Sequence, residues 1–390
     1  MPERPRVAQV ITRFILGGAQ LVCLSAAKGM RELGWEVEIW AGPAIGAEGD
    51  LFFYAFNEGI TVRKIPEMRR EIHPNRDFRS WLHLKEHVRR FSPHVVHTHS
   101  SKAGVLGRLA AKSCKVPAVV HTVHGLPFGY GRDMMEKLYP CFERSAARSC
   151  DRVFCVSRSL VAKMREHSIA DESKISYMPW GLDLSRFKRY LGKLARARMG
   201  IGTNSPTIVI PARLAPDKGH EDALMALSVL VDRFDELRLL LVGDGPLREP
   251  LQDLARSMGM GGNVVFAGRV PPRQMPHFLA AGDITLLPSY REGMPVVLAE
   301  SFVAGRPVIA YDTDGVGELV RHLETGELVE QGDVEGLALA LEKLLSNPEL
   351  RTKYAANGSR LIGEQFAQQV MAKKLDTAYR EILREKNIEI

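Results

Sequence analysis

Long apolar runs are missing from this 390-residue chain. No stretch of about 18 apolar residues occurs, so no membrane-spanning helix is expected. The start, MPERPRVAQVITRF, is broken by Arg13 and lacks a small-residue cleavage site, which argues against a secretory signal. Cysteine is scarce. Cys23, Cys114, Cys141, Cys150 and Cys155 form an odd set without metal-ligand spacing, which fits reduced thiols in a cytoplasmic setting. Low-complexity tracts and short repeat periods are absent, so solenoids and disordered tails are set aside. No aromatic-rich basic motif appears, so no nucleic-acid partner is expected.

Charge of one sign is concentrated. Residues 1–183 hold 27 Lys and Arg against 19 Asp and Glu, a balance of +8, while residues 184–390 hold 26 against 27. The segment 61–90, TVRKIPEMRREIHPNRDFRSWLHLKEHVRR, carries nine basic and four acidic residues. A basic face can serve nucleic acid, an anionic membrane surface or an anionic substrate; its plain alternative is a solvated helix face.

The length exceeds one typical core and suggests two domains. Short β-branched runs alternate with longer helical patterns: RVAQVI, AQLVCLSAAKGMREL, WEVEIW, then HVVHTH, AVVHTVH, RVFCVS and KISYMP. The rhythm restarts at TIVIPARL, LRLLLVGDG, NVVFAGRV, DITLLPS and RPVIAYD. Such alternation predicts parallel strands with crossover helices, hence an α/β protein of two doubly wound domains. The polar stretch 184–206 reads as a linker between a domain over 1–183 and another over 207–366. The tail 367–390 has apolar residues at helical spacing and reads as a terminal helix.

Ligands of open α/β sheets sit where strands end and helices begin. After the first strand, Gly17 and Gly18 either let an anionic ligand approach a helix N-terminus or form a plain tight turn. The pattern is not GxGxxG, and no acid ends the second strand, so a dinucleotide site is weakly supported. In IPARLAPDKGHEDAL, Arg213 and Lys218 are either two surface cations or a diphosphate clamp. Gly243 opens a turn that needs no chemistry of its own. In YREGMPVVLAES, Pro295 suits the first helical position, placing Glu292, Gly293 and Met294 at the helix mouth beside the N–H groups of Val296 and Val297. Glu300 then lies about 7.5 Å deeper along the axis. A carboxylate on so apolar a helix needs a partner: sugar or ribose hydroxyls, or a buried cation such as Arg306. His97 and His99 share one strand face and could pair on a metal or hydrogen-bond, whereas His121 and His124 point to opposite faces. Asp312 and Asp314 could hold a divalent ion, or form an Asp-Gly turn capping the helix near Gly315.

EGMPVVLAE, SFVAGRPVIAYDTDGVGELV, ARLAPDKG, VGDGPL, FAGRV and MPWGLDLSRF together resemble the signature of glycosyltransferase family 4, retaining enzymes of the GT-B fold. ITRFILGGAQ, VVHTHSSKAGVLGRLAA and VVHTVHGLPF extend the likeness over nearly the whole chain, toward the bacterial subset that builds surface polysaccharides and lipid-linked oligosaccharides. The resemblance implies two Rossmann-like domains facing across a cleft, with the C-terminal helix packing back on the first. It implies a hexosyl or N-acetylhexosaminyl transfer from a nucleotide diphosphate donor, UDP by the family subset, to a saccharide or lipid-linked acceptor. Arg213 and Lys218 would hold the diphosphate, Glu292 with Gly293, Met294, Pro295 and Val296 the donor sugar, Glu300 the ribose, and backbone at Arg269 and Val270 the base. Gly243 joins the donor residues. Gly17 and Gly18 would close over the diphosphate, and His124 would lie near the transferred sugar. No metal or other cofactor is implied. Gln20 stands where many members carry Glu, which leaves the acceptor contact there open. The expected location is the cytoplasm, peripheral on the inner face of the membrane through the basic first domain. Rival readings are a GT-B sugar-nucleotide 2-epimerase and a non-catalytic nucleotide-sugar-binding protein.

Overall fold

The computed structural model describes residues 4–45, 49–126, 134–189 and 192–390. It divides into two compact units, Met1–Asp183 with Gln365–Ile390, and Leu184–Glu364.

The first unit is built on seven strands: β1 (Arg6–Ile11), β2 (Glu36–Ala41), β3 (Thr61–Lys64), β4 (Val95–His99), β5 (Ala118–Val123), β6 (Arg152–Cys155) and β7 (Ile175–Tyr177). Every pairing is parallel, in the order β3-β2-β1-β4-β5-β6-β7. Residues of β4 and β5 are buried throughout, their histidines and threonines included, as expected for strands covered on both faces. The helix Gln368–Glu385 belongs to this unit and packs on the helix Gly18–Glu32. Its Tyr379 is fully buried, and its Asp376 accepts a 2.7 Å bond from Trp35 Nε1.

The second unit has six strands: β8 (Thr207–Ile210), β9 (Arg238–Val242), β10 (Val264–Gly268), β11 (Ile284–Leu287), β12 (Val308–Tyr311) and β13 (Gly326–Val329). They too are all parallel, ordered β10-β9-β8-β11-β12-β13. Strand order reverses beside β1 in one unit and beside β8 in the other, so each unit is Rossmann-like with a switch point at the carboxyl ends of its central strands.

The stretch 184–206, expected as a linker, is folded. It carries a 3₁₀ turn (Ser185–Arg189) and a helix (Lys193–Arg198), and both pack within the second unit. Its polar residues find local work: Arg196 donates to the carbonyls of Ala281 and Ser205 and pairs with Asp283 at 3.1 Å. The chain also returns to the first unit at Gln365, before the expected end of the second domain. Among the described residues, no helix is long and apolar enough to cross a membrane.

Candidate active site

In the second unit the loops after β8 and β11 meet at the switch point. Gly219 is in the left-handed region, φ +62, and a Cβ there would lie 1.9 Å from the Pro288 carbonyl oxygen. Only glycine lets the two loops approach this closely. Tyr290 N–H donates to Asp217 O at 3.0 Å. The hydroxyls of Tyr290 and Tyr311 both donate to Asp222 Oδ2, at 2.5 and 2.8 Å. These bonds hold the 288–295 loop against the 215–222 segment. They bring together two of the expected site residues, for Lys218 Nζ lies 2.7 Å from Glu292 Oε1. A second bond joins Lys218 Nζ to the Arg291 carbonyl at 3.3 Å. Arg213 follows β8 on the exposed side, and its guanidinium makes no ion pair or side-chain hydrogen bond among the described residues.

The helix Val296–Val303 begins one residue later than expected: Pro295 is its N-cap, at φ −73 and ψ 114, rather than its first helical residue. Proline at a cap supplies no side-chain acceptor, so the first N–H groups of the helix stay available. Met294 is buried, Gly293 and Val296 are half-buried, and the Gly293 carbonyl accepts from Gly315 N–H at 3.1 Å. Glu300 lies deeper, 7 % exposed. Its carboxylate makes no ion pair or hydrogen bond among the described residues. Arg306 does not serve it: that guanidinium donates to the Ala280 carbonyl at 2.9 Å, and its Nε is buried without a partner. Burial pushes the Glu300 carboxyl up to about 7, partly offset by the charge of Arg186.

Gly243 lies in a conformation open to glycine, φ +155, where a Cβ would sit 2.0 Å from the Ala212 carbonyl oxygen. It thus sets the backbone just before Arg213. Arg269 and Val270 follow the edge strand β10, with Arg269 exposed. The Asp312-Thr-Asp314 stretch forms a turn with Asp314 at φ +33, but the helix Val316–Leu319 is capped by Gly315 without any side-chain bond, so the expected aspartate cap is not made. Among the described residues, no group of three His, Cys, Asp or Glu side chains is placed to hold a metal ion.

In the first unit, β4 and β5 pair with Thr98 opposite His121 and His99 opposite Thr122. This register brings His99 Nδ1 to 3.0 Å from His124 Nε2. A chain of bonds runs on: His99 Nε2 to Gln9 Oε1 at 2.7 Å, Gln9 Nε2 to Tyr379 Oη at 3.5 Å, Tyr379 Oη to His97 Nδ1 at 2.5 Å, and His97 Nε2 to Thr122 Oγ1 at 2.6 Å. An amide oxygen only accepts, so His99 carries its proton on Nε2 and accepts at Nδ1. His124 must therefore donate from Nε2, leaving its Nδ1 bare. Burial lowers His124 to about 4 and His97 to about 3, the latter aided by repulsion from His124, and it lowers His99 as well. The chain is thus neutral near pH 7. His121 faces the other way, toward Thr98 at 2.9 Å and the buried Arg108–Glu143 pair. Gly17 caps the helix Gly18–Glu32 in extended backbone, φ −164, that any residue adopts. A Cβ there would meet Gln20 Oε1 at 2.6 Å, so the Gln20 side chain lies back over the turn.

Two family models match, glycosyl transferases group 1 over residues 193–361 and glycosyltransferase family 4 over residues 16–186. The chain is 31 % identical over 389 residues to the D-inositol 3-phosphate glycosyltransferase of Rhodococcus jostii, covering 93 % of this chain and 84 % of that protein. The chain belongs to glycosyltransferase family 4. This glycosyltransferase is also 28 % identical over 351 residues to the UDP-Gal:alpha-D-GlcNAc-diphosphoundecaprenol alpha-1,3-galactosyltransferase of Escherichia coli, covering 88 % and 89 % of the two chains. Its fold matches Anabaena HepE in complex with UDP, with a TM-score of 0.79 at 18 % identity over 96 % of this chain and 100 % of that one. It likewise matches the sucrose-phosphate synthase of Thermosynechococcus elongatus, with a TM-score of 0.83 at 19 % identity over 98 % and 100 %. Two Rossmann-like units in one chain make the enzyme's fold GT-B.

Several residues of the glycosyltransferase's candidate site escape sequence reading. Asp222, Tyr290 and Tyr311 anchor the Glu292 loop, yet Asp222 reads only as an acid in a helix's first turn. Arg186 stands near Glu300 with its Nε buried and unpartnered; its one signal is its place in the quoted LDLSRF. His220, beside Lys218, is buried with both ring nitrogens unpartnered, and burial with the Lys218 charge lowers it to about 4.

Proposed function

We propose that this glycosyltransferase transfers a hexosyl or N-acetylhexosaminyl group, with retention of anomeric configuration, from a UDP-sugar to a saccharide or lipid-linked acceptor of the bacterial cell surface. One observation carries the reading: at the switch point of the second unit, Lys218 meets Glu292 at 2.7 Å while Arg213, earlier on the same segment after β8, stands unpaired. Cations there suit a diphosphate, and a carboxylate among them suits sugar hydroxyls, because it is purely an acceptor. Diphosphate binding gives Lys218 a new partner and frees Glu292 for the sugar. Glu300 accepts from the ribose hydroxyls, which supply the donors its buried carboxylate lacks. Gly293 to Val296 line the sugar, and Arg269–Val270 contact the base through backbone.

The chemistry follows. The acceptor oxygen attacks the anomeric carbon on the face the nucleotide leaves. The bond from that carbon to the diphosphate oxygen breaks, and the hydroxyl proton passes to the leaving phosphate. Arg213, Lys218 and the N–H groups of the Val296 helix stabilise the charge that develops there. These groups already supply positive charge, so turnover is expected to need no metal ion. His124, neutral and fixed in one tautomer, offers its bare Nδ1 to a sugar hydroxyl. The acceptor belongs to the first unit, whose surplus of basic residues also suits attachment to the inner face of the cytoplasmic membrane. The curated relatives support a phosphate-bearing acceptor, since one is named for inositol 3-phosphate and another for a diphosphoundecaprenol.

Calorimetric titration with UDP, GDP and ADP tests the donor assignment. UDP should bind most tightly, with Glu300→Gln weakening it and Glu292→Gln leaving it near the wild-type value. Equal, weak binding of all three nucleotides refutes the assignment.

A further inference from the structure

We propose that Arg13, Arg69, Arg70 and Arg76 form a phosphate-binding pocket on the first unit, which takes the phosphoryl group of the acceptor. The inference rests on the reading of this unit as the acceptor-binding one. A cavity of about 360 Å³ is lined by these four arginines, by the apolar Pro43 and Ile45, and by a single acid, Glu71. Its walls come from the carboxyl edge of the sheet. Arg13 follows β1, Pro43 and Ile45 follow β2, and Arg69 to Glu71 follow β3. Arg76 stands in the first turn of the helix Pro74–Phe91.

The lining carries a surplus of three positive charges. Two further acids of this region are already engaged: Asp77 pairs with Lys102 at 2.6 Å, and Glu38 pairs with Arg63 at 2.9 Å. Lys102 also donates to the Glu71 carbonyl. Arg69, Arg70 and Arg76 make no ion pair or side-chain hydrogen bond among the described residues. The Nε of Arg76 is buried without any partner. A buried donor left unsatisfied and three like charges around one cavity both raise the energy of the empty state. An anion relieves both.

The number of donors selects the anion. Guanidinium forks match the oxygens of carboxylate and phosphate alike. Arg13 already donates to the Ile45 carbonyl at 3.2 Å, but the other three forks still exceed what one carboxylate can accept, whereas a terminal phosphate or diphosphate has acceptor oxygens enough. Small-molecule pockets run from roughly 300 to 1,000 Å³. This cavity lies at the small end, right for a diphosphate with the first atoms of what it carries.

The test titrates the full-length protein with inorganic pyrophosphate while UDP is held at saturation, so that a donor site is occupied. Saturable binding is expected. It should weaken at least tenfold in Arg69→Gln/Arg70→Gln, two exposed positions whose change relieves like-charge repulsion and should not lower the melting temperature. Arg89→Gln/Arg90→Gln, in the last turn of the helix Pro74–Phe91, should bind as wild type. Absent binding, or equal weakening in both double variants, overturns the pocket. Sedimentation with phosphatidylglycerol and phosphatidylcholine vesicles separates the sources of phosphate. If the Arg69/Arg70 change abolishes binding to phosphatidylglycerol vesicles yet leaves pyrophosphate binding intact, the cluster reads lipid headgroups and the proposal fails. If UDP itself does not bind while pyrophosphate behaves as expected, the donor assignment fails and the pocket stands.

Discussion

Replacing Glu300 by Gln should stabilise the ligand-free enzyme at high pH while impairing nucleotide binding. Burial raises the Glu300 carboxyl from an ordinary 4.5 to about 7. Between these values the native protein holds a proton that the unfolded chain has lost. Stability therefore falls as pH rises through this window, and the full cost is present above pH 7. At about 1.4 kcal/mol per pH unit, ionised Glu300 costs the fold about 3 kcal/mol. Glutamine has nearly the same shape and no charge, so it removes that cost. At roughly 2–4 °C per kcal/mol for a unit of this size, the variant should melt up to about 10 °C above wild type at pH 8. At pH 4.5 the two should nearly coincide. UDP should raise the wild-type melting temperature at pH 8 by more than the variant's, because only the carboxylate is a pure acceptor for ribose hydroxyls. Scanning calorimetry from pH 4.5 to 8.5, with and without UDP, reads all of this. A variant equally destabilised at every pH would show that Glu300 has a native charge partner, and it would refute the argument from an unsatisfied carboxylate.

Arg213→Ala and Lys218→Ala should each lower turnover at least tenfold, from loss of charge-assisted contacts of about 1.5–3 kcal/mol, with melting temperatures little changed; near-normal rates in both would remove the phosphate role. Activity should persist in EDTA, and loss restored by magnesium or manganese would revive Asp312 and Asp314 as a metal site. His99→Phe should free the tautomer of His124, seen as a change in its ring-nitrogen chemical shifts in histidine-labelled protein, whereas an unchanged Nε2–H form would deny His99 its positioning role.

The fold was legible because buried parallel strands announce themselves. Runs such as TIVI and RLLLV need no alternation when both faces are covered, and the terminal helix kept its apolar period. The 184–206 segment misled because its polar residues, Arg196 above all, bond to backbone carbonyls rather than to solvent. Glu292, Glu300, Arg213 and Lys218 could be chosen from strand-to-helix turns, which is a property of local order. That Lys218 touches Glu292 could not, since the contact joins residues 74 positions apart and depends on Gly219 passing the Pro288 carbonyl. The His99–His124 bond was hidden for a similar reason. Strand register decides it, and register between β4 and β5 is set by packing, not by either strand alone. The one-residue slip at Pro295 reflects the ambiguity of a proline that fits both the cap and the first turn.

Proton NMR of a reaction supplied with a UDP-sugar and its acceptor tests the central claim most directly. The account predicts one UDP released for each glycosidic bond formed, and an anomeric coupling in the product matching that of the donor. A product of inverted configuration, or UDP release and sugar epimerisation that do not depend on acceptor, would contradict it.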